Sequence, residues 1–111
     1  MIDAYDFGRI VIDGKRYNRD VLILADKVKA DWWRKEGHLL QIDDLGELVK
    51  EELEVLVIGT GYSGCMQISP EVVDYFHSKS IELVVKNTKD ACKIFDELQT
   101  DRKAAAFHLT C

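Results

Sequence analysis

The apolar run Val55-Leu56-Val57-Ile58 restricts the fold of this sequence more than any other feature. It shows no polar alternation, and strands of this kind are covered on both faces. The run belongs to a longer stretch, Leu53 to Phe76, which continues with a glycine-rich loop and a predicted helix. A strand covered on both faces and followed by a loop and a helix is the basic unit of an α/β fold.

The loop after this strand contains a G-x-G-x-x-G pattern at Gly59, Gly61 and Gly64. In a dinucleotide-binding turn, the helix begins at the third glycine, so that the pyrophosphate meets the helix N-terminus. Here the helix is predicted to begin only at Pro70, with Ser69 as its N-cap. The next strand also ends without an acidic residue that would bind a ribose. We therefore predict no NAD or FAD site and no other cofactor, and interpret the glycines as a tight exit from the strand.

Composition and charge are typical of a small soluble protein. At 111 residues the chain has room for a single core, and we predict one domain over residues 1–111. The net charge of −5 disfavours nucleic acid as a partner, and no apolar run approaches the roughly 18 residues of a membrane span. The start, MIDAYDFG, lacks the features of a secretory signal. The three cysteines form no C-x-x-C pair, which argues for a reducing, cytoplasmic location and against a disulfide scaffold or a structural metal.

The remaining segments divide the chain into a β-rich first third and an alternating second part. Short alternating segments around the hairpin signal Asp13-Gly14 predict an N-terminal β-meander. Further predicted strands cover 21–24, 28–32, 54–58, 81–86 and 103–110, and predicted helices begin at Asp44, Pro70 and Thr88, with Thr88 as the cap of the last one. Alternation of helices and strands is typical of a parallel or mixed sheet with right-handed crossovers. The pattern thus predicts one α/β domain with the β-meander folded onto or beside its sheet.

Four segments carry a resemblance to a known family. They are Trp33 to His38, the Val-Ile-Gly-Thr-Gly run at 57–61, Thr88 to Cys92, and the closing run Ala-Ala-Phe-His-Leu-Thr-Cys at 105–111. In this order, and over nearly the whole chain, they resemble the small adipogenesis-associated Mth-domain family. That family includes archaeal and bacterial stand-alone domains and the mitochondrial complex I assembly factor 3. The resemblance implies a three-layer α/β fold with a mixed central sheet, but it implies no particular reaction and no catalytic residues.

One candidate site is the crevice at the carboxyl ends of the predicted parallel strands, where open α/β sheets bind ligands. Backbone N–H groups of the glycine loop and nearby hydroxyls can bind a small anion there. The candidate residues are Gly59, Thr60, Gly61, Tyr62, Ser63, Gly64 and Thr88. The alternative is that Ser63 and Thr88 only form local caps and turns.

A second candidate site is the aromatic and basic segment that begins at Trp32. Aromatic residues beside arginine are the types enriched at interface hot spots. We predict that Trp33, Arg34 and His38 contribute to a surface contact with a protein partner or a second copy of the chain. Adjacent strand residues face opposite ways, so one of Trp32 and Trp33 can be buried while the other is exposed. The alternative is that both indoles are buried and Arg34 is solvated.

Two classes of function follow from these sites. The favoured one is a non-enzymatic protein-binding or assembly module that acts through the tryptophan segment. The alternative is a small-molecule or anion-binding protein, or an enzyme, that uses the glycine loop. Cys65, in the same loop, is either a reactive thiol or a small residue that fills a packed turn.

Overall fold

The structure is a computed structural model that describes residues 1–25 and 27–111. In chain order its strands are β1 (Ile2–Asp6), β2 (Arg9–Ile12), β3 (Lys15–Tyr17), β4 (Val21–Ile23), β5 (Val28–Lys29), β6 (Leu39–Leu40), β7 (Val55–Thr60), β8 (Gln67–Ile68), β9 (Glu82–Lys86) and β10 (Lys103–His108). The helices are a short 3₁₀ helix (Ile42–Leu45), α1 (Pro70–Ser78) and α2 (Thr88–Glu97). Among the described residues, no helix is long and apolar enough to cross a membrane.

The centre of the fold is a mixed five-stranded sheet with the order β5-β4-β10-β7-β9. Strand β7 is buried along its whole length, as its apolar run predicts, and is flanked by β10 and β9, both parallel to it. Strand β4 pairs with the other edge of β10 in the antiparallel direction, and β5 extends it. Strands β1, β2 and β3 form a separate antiparallel sheet, and β6 pairs with β8 in a small parallel ribbon.

Apolar side chains cover both faces of the central sheet. On one face, Val72 and Phe76 of α1 pack with Trp32 and with leucines from the segment before β7. On the other face, Phe95 of α2 and Ile10 of the β-meander pack against the opposite side chains of the same strands. The predicted three-layer α/β fold, with a mixed central sheet and an N-terminal β-meander, is therefore confirmed.

The helix predicted from Asp44 is wrong, because the chain forms only the 3₁₀ helix and turns there. Asp44 does not begin the helix. Instead, its Oδ2 atom accepts a hydrogen bond of 2.9 Å from the backbone N–H of Gln41, three residues earlier. Gly46 then follows the last helical residue, and glycine costs a helix about 1 kcal/mol relative to alanine. The segment is held by buried Leu45 and Leu48, not by helical periodicity.

The strand predicted over 28–32 is shorter than expected and ends at Lys29. Asp31 has a φ angle of +55°, which no strand residue adopts, so the chain turns away from β4 at this point. The backbone N–H of Trp32 then donates to the carbonyl of Asp20 at 2.8 Å. The turn places Trp32 in the core and starts the irregular segment that reaches β6.

Candidate functional site

The carboxyl ends of three parallel strands meet at one edge of the sheet. Strand β7 ends at Thr60, β9 at Lys86 and β10 at His108, and β4 begins beside them because it runs in the opposite direction. The structure therefore brings together the glycine loop, Thr88 and the start of β4. We call this end of the molecule the carboxyl edge.

The backbone N–H groups of the glycine loop donate mainly to protein acceptors. The N–H of Gly61 donates to a side chain, Thr88 Oγ1, at 2.8 Å. Two further amides of the loop donate to the segment after β10, Tyr62 N to Thr110 O at 2.6 Å and Cys65 N to Cys111 O at 2.9 Å. The amide of Gly64 donates within the loop, to Gly61 O at 3.2 Å. These amides are thus occupied within the chain, and the anion-binding site remains a prediction.

Two of the three glycines are required by close packing. A Cβ atom on Gly61, whose φ is +110°, would lie 2.3 Å from the backbone carbon of Cys111. A Cβ atom on Gly59 would lie 2.8 Å from Thr88 Oγ1 and 2.9 Å from Phe107 Cδ1. Glycines at positions 59 and 61 therefore allow the end of β7 and the loop after it to lie close to α2 and to the segment after β10.

Thr88 joins three elements of the carboxyl edge through one buried hydroxyl. Its Oγ1 atom donates to the carbonyl of His108 at 2.6 Å and accepts from the N–H of Gly61. The prediction that Thr88 caps the last helix is wrong, because the cap is Asn87, whose Oδ1 accepts from Asp90 N at 3.0 Å. Thr88 is the first helical residue, and its side chain is free to reach β7 and β10.

The other candidate residues of the loop take different positions. Thr60 is buried, and its hydroxyl donates to the carbonyl of Lys86 at 3.1 Å, which ties the ends of β7 and β9 together. Tyr62 and Ser63 are exposed at the tip of the loop. The predicted hydroxyls are therefore divided between the interior, for Thr60 and Thr88, and the exposed tip, for Tyr62 and Ser63.

A buried polar cluster of Asp20, Arg34 and His108 lies next to the loop. Asp20 Oδ2 accepts from Arg34 Nη1 at 2.7 Å and lies 2.9 Å from His108 Nδ1. Asp20 Oδ1 accepts from the backbone N–H of Leu109 at 2.8 Å. The carboxylate thus connects the start of β4, the tryptophan segment and the end of β10.

Two groups of opposite hydrogen-bonding character face His108 Nδ1. Asp20 Oδ2, which can only accept, lies 2.9 Å from this nitrogen, and Arg34 Nη2, which can only donate, lies 3.0 Å from it. Burial favours the neutral acid of Asp20, but hydrogen bonds from His108, Leu109 and Arg34 outweigh it and hold the pKa of Asp20 below its usual value. His108 Nε2 is buried and has no hydrogen-bond partner among the described residues.

Arg34 is buried, so its predicted role as a surface-contact residue is wrong. The residue is only 8% exposed. Its guanidinium donates to Asp20 and to the carbonyl of Gly37, at 2.8 Å from Nη2, and stacks 4.7 Å from the Trp32 ring centroid. A buried arginine needs paired acceptors, and these come from the residue before β4 and from its own loop. Arg34 therefore fixes the tryptophan segment to the sheet.

The two tryptophans take opposite environments, as predicted. Trp32 is buried and donates from Nε1 to the carbonyl of Asp44 at 2.9 Å. Trp33 is 76% exposed. His38 is also exposed, with its ring 5.9 Å from the His108 ring, edge to face. Of the predicted contact residues, Trp33 and His38 are therefore available to a partner.

Exposed aromatic side chains gather around the segment that leaves β10. Trp33 lines a surface depression of about 280 Å³ together with Leu109 and Thr110. Tyr62 is bonded through its backbone to Thr110, and its ring lies 5.9 Å from that of Phe7, edge to face. We call Phe7, Trp33 and Tyr62 the aromatic edge.

Sequence reasoning missed Asp20 and Phe7 as site residues. No motif marks Asp20, because its partners lie far away in the chain. One usable signal was its position immediately before a buried strand. Because β4 runs antiparallel to β10, its first residues lie at the edge where the parallel strands end. Among the described residues, no group of three or more His, Cys, Asp or Glu side chains is arranged to hold a metal ion.

Comparison with known proteins agrees with this architecture. Residues 2–109 match a family described as "Protein of unknown function (DUF498/DUF598)". The chain belongs to this family. The DUF498 match and the structures below confirm the Mth-domain resemblance seen in the sequence.

Solved structures of similar proteins superpose over nearly the whole chain. A conserved hypothetical protein, PH1505 from Pyrococcus horikoshii OT3, is 28% identical with a TM-score of 0.84, and the match covers 100% of this chain and 99% of that one. A protein named MT938 is 27% identical with a TM-score of 0.81 and coverage of 100% and 98%. An Mth938-like domain from Bordetella pertussis is 17% identical with a TM-score of 0.68 and coverage of 98% and 85%, and it shows the shared fold.

Proposed function

We propose that this domain is a non-enzymatic protein-binding module and that the aromatic edge is its contact surface. The observation that carries the proposal is the convergence of three exposed aromatic side chains, Phe7, Trp33 and Tyr62, on one segment of backbone. Tyrosine and tryptophan are enriched at protein interfaces and among the residues that contribute most binding energy. An assembly role for the domain would act through the same surface.

The aromatic edge rests on rigid supports. Trp33 lies between the buried residues Trp32 and Arg34, both of which are hydrogen-bonded to the core. Tyr62 is held by the bond from its N–H to Thr110 and by its ring contact with Phe7. A surface that is already ordered loses little conformational entropy on binding.

The charges around the edge favour a second copy of the chain as the occupant. Phe7 lies in the turn between Asp6 and Arg9, which form an ion pair. Arg19 and Asp31, beside Trp33, form another at 3.9 Å. Because these charges are paired within the chain, the edge does not select an oppositely charged partner. A copy of itself presents the same neutral aromatic surface, which suits a two-fold interface.

The test is self-association of the chain, measured by sedimentation equilibrium together with acrylamide quenching of tryptophan fluorescence. We expect dimerisation in the micromolar range and protection of Trp33 as the concentration rises. Trp33→Ser and Tyr62→Ser are each expected to weaken the dimer about tenfold or more, as removal of a hot-spot residue does. The matched control is Val73→Ala, because Val73 is an exposed apolar residue on α1.

Two results would contradict the proposal. One is a wild-type chain that stays monomeric up to about 1 mM, which corresponds to a binding free energy weaker than about −4 kcal/mol. The other is a dimer that Val73→Ala weakens as much as Trp33→Ser does. A cytoplasmic location remains part of the proposal, as does a single functional domain over residues 1–111.

A further inference from the structure

Two of the three cysteines are exposed and adjacent at the carboxyl edge. Cys65 lies at the end of the glycine loop and Cys111 lies in the segment after β10, and both thiols are free. The backbone N–H of Cys65 donates to the carbonyl of Cys111 at 2.9 Å. The third cysteine, Cys92, is buried on α2. Two exposed cysteines that are far apart in the chain are thus joined by a backbone hydrogen bond.

The surrounding backbone holds the pair close. The bond from Tyr62 N to Thr110 O, at 2.6 Å, runs beside the bond between the two cysteines, so that loop and segment lie alongside each other. Gly61 packs against Cys111 so closely that no Cβ atom fits between them. A backbone N–H···O=C bond of 2.9 Å limits how far apart the two α-carbons can lie, and disulfides span about 4.4–6.8 Å between α-carbons.

We propose that Cys65 and Cys111 form a reversible dithiol–disulfide pair that reacts with small disulfides of the glutathione class. In the first step, the thiolate of one cysteine attacks glutathione disulfide, forms a mixed disulfide and releases one glutathione, which takes up a proton. The thiolate of the other cysteine then attacks the protein sulfur of that mixed disulfide. A Cys65–Cys111 bond forms, and a second glutathione leaves. The protein loses two electrons and two protons, and glutathione disulfide gains both.

This chemistry is independent of the protein-binding proposal, but it acts on the same edge. The disulfide would tie the loop that follows β7 to the segment after β10. In a reducing compartment the pair stays as thiols, and it closes when the ratio of glutathione disulfide to glutathione rises. Exposed disulfides of this kind are the ones that respond to such changes.

The experiment uses the full chain at low micromolar concentration in glutathione buffers, followed by acid quenching and intact mass spectrometry. We expect the wild type to lose two hydrogen masses and to carry little glutathione. Cys111→Ser and Cys65→Ser are each expected to accumulate a single glutathione adduct, at least about tenfold more than the wild type at about 0.1 mM glutathione. The reason is that a tethered thiol competes at an effective concentration of about 1 mM or higher.

Peptide mapping and thermal unfolding complete the test. Mapping is expected to link Cys65 to Cys111 and to find Cys92 as a free thiol. The oxidised wild type should melt at a higher temperature than the reduced form. Oxidant should not raise the melting temperature of Cys111→Ser. Adducts on the wild type at the level of the single variants would overturn the proposal. So would disulfide-linked dimers in place of the internal bond, or a bond that includes Cys92.

Discussion

The carboxylate of Asp20 and the imidazole of His108, 88 residues apart in the chain, lie 2.9 Å apart between Oδ2 and Nδ1. The same carboxylate oxygen accepts from Arg34, and all three groups are largely removed from solvent. This contact joins the start of β4, the tryptophan segment and the last strand. It holds in place the surface from which Trp33 and Tyr62 project.

Replacing Asp20 is expected to destabilise the fold at neutral pH. Asp20→Asn leaves the buried guanidinium of Arg34 without its charged partner, and breaking a buried pair in this way costs about 3 kcal/mol or more. The free energy of unfolding, measured by urea denaturation, checks this. The control is Asp31→Asn, which removes an exposed ion pair with Arg19 and should cost less than about 1 kcal/mol.

The ion pair of Asp20 with Arg34 also predicts how the stability of the fold depends on pH. The pKa of Asp20 is lowered in the folded state, so its ionised form contributes stability above the unfolded pKa of about 3.9. That contribution is lost as the pH falls below this value toward the lower folded pKa. The stability difference between wild type and Asp20→Asn should therefore be large at pH 7 and shrink below about pH 4. A difference that stays constant down to about pH 2 would contradict the assignment of the carboxylate as the stabilising form.

Thr88→Val is expected to destabilise the chain by about 2–4 kcal/mol, because it leaves the Gly61 N–H and the His108 carbonyl buried without their hydroxyl partner. Thr88→Ser keeps the hydroxyl and should cost only about 1 kcal/mol for the lost methyl group. Thermal unfolding of both variants measures the difference. If valine is tolerated as well as serine, the hydroxyl does not hold the carboxyl edge together.

Gly61→Ala should displace the segment after β10, because the new methyl group would overlap the backbone of Cys111 at a φ of +110°. The amides of Tyr62 and Cys65 donate to that segment, so their hydrogen exchange should accelerate. Gly37→Ala is the control, since no atom lies within 4 Å of the place its methyl group would occupy and its φ is not positive. Equal exchange rates in both variants would show that the loop and the segment are not packed as described.

Ligand titration tests the alternative function of the glycine loop. Because several of the loop amides donate to protein acceptors, we expect no micromolar binding of NAD, NADP, FAD or inorganic phosphate by calorimetry. Saturable binding would contradict this expectation. A signal that is lost in Ser63→Ala but retained in Ser78→Ala would assign it to the loop, since both serines are exposed and only the first lies there.

The sequence determined the central layers of this protein. The unbroken apolar run at 55–58 required cover on both faces, and the alternation of strands and helices after it led to β7, α1, β9, α2 and β10 close to their observed bounds. These signals are local, because periodicity and turn residues act within one segment. The helix predicted from Asp44 was wrong. Gly46 disfavours a helix, and the packing of two buried leucines against other parts of the core holds the segment, whereas periodicity depends only on the local sequence.

The tertiary structure alone decided the character of the carboxyl edge. Arg34 looked like a surface residue from its sequence, yet it is buried because Asp20 and Gly37 supply acceptors for its guanidinium. The backbone hydrogen bond between Cys65 and Cys111 and the contact between Asp20 and His108 depend on which strands become neighbours in the sheet. Contacts of this kind join residues whose separation in the chain carries no pattern, and they exist only once the strand order brings the two segments to the same edge.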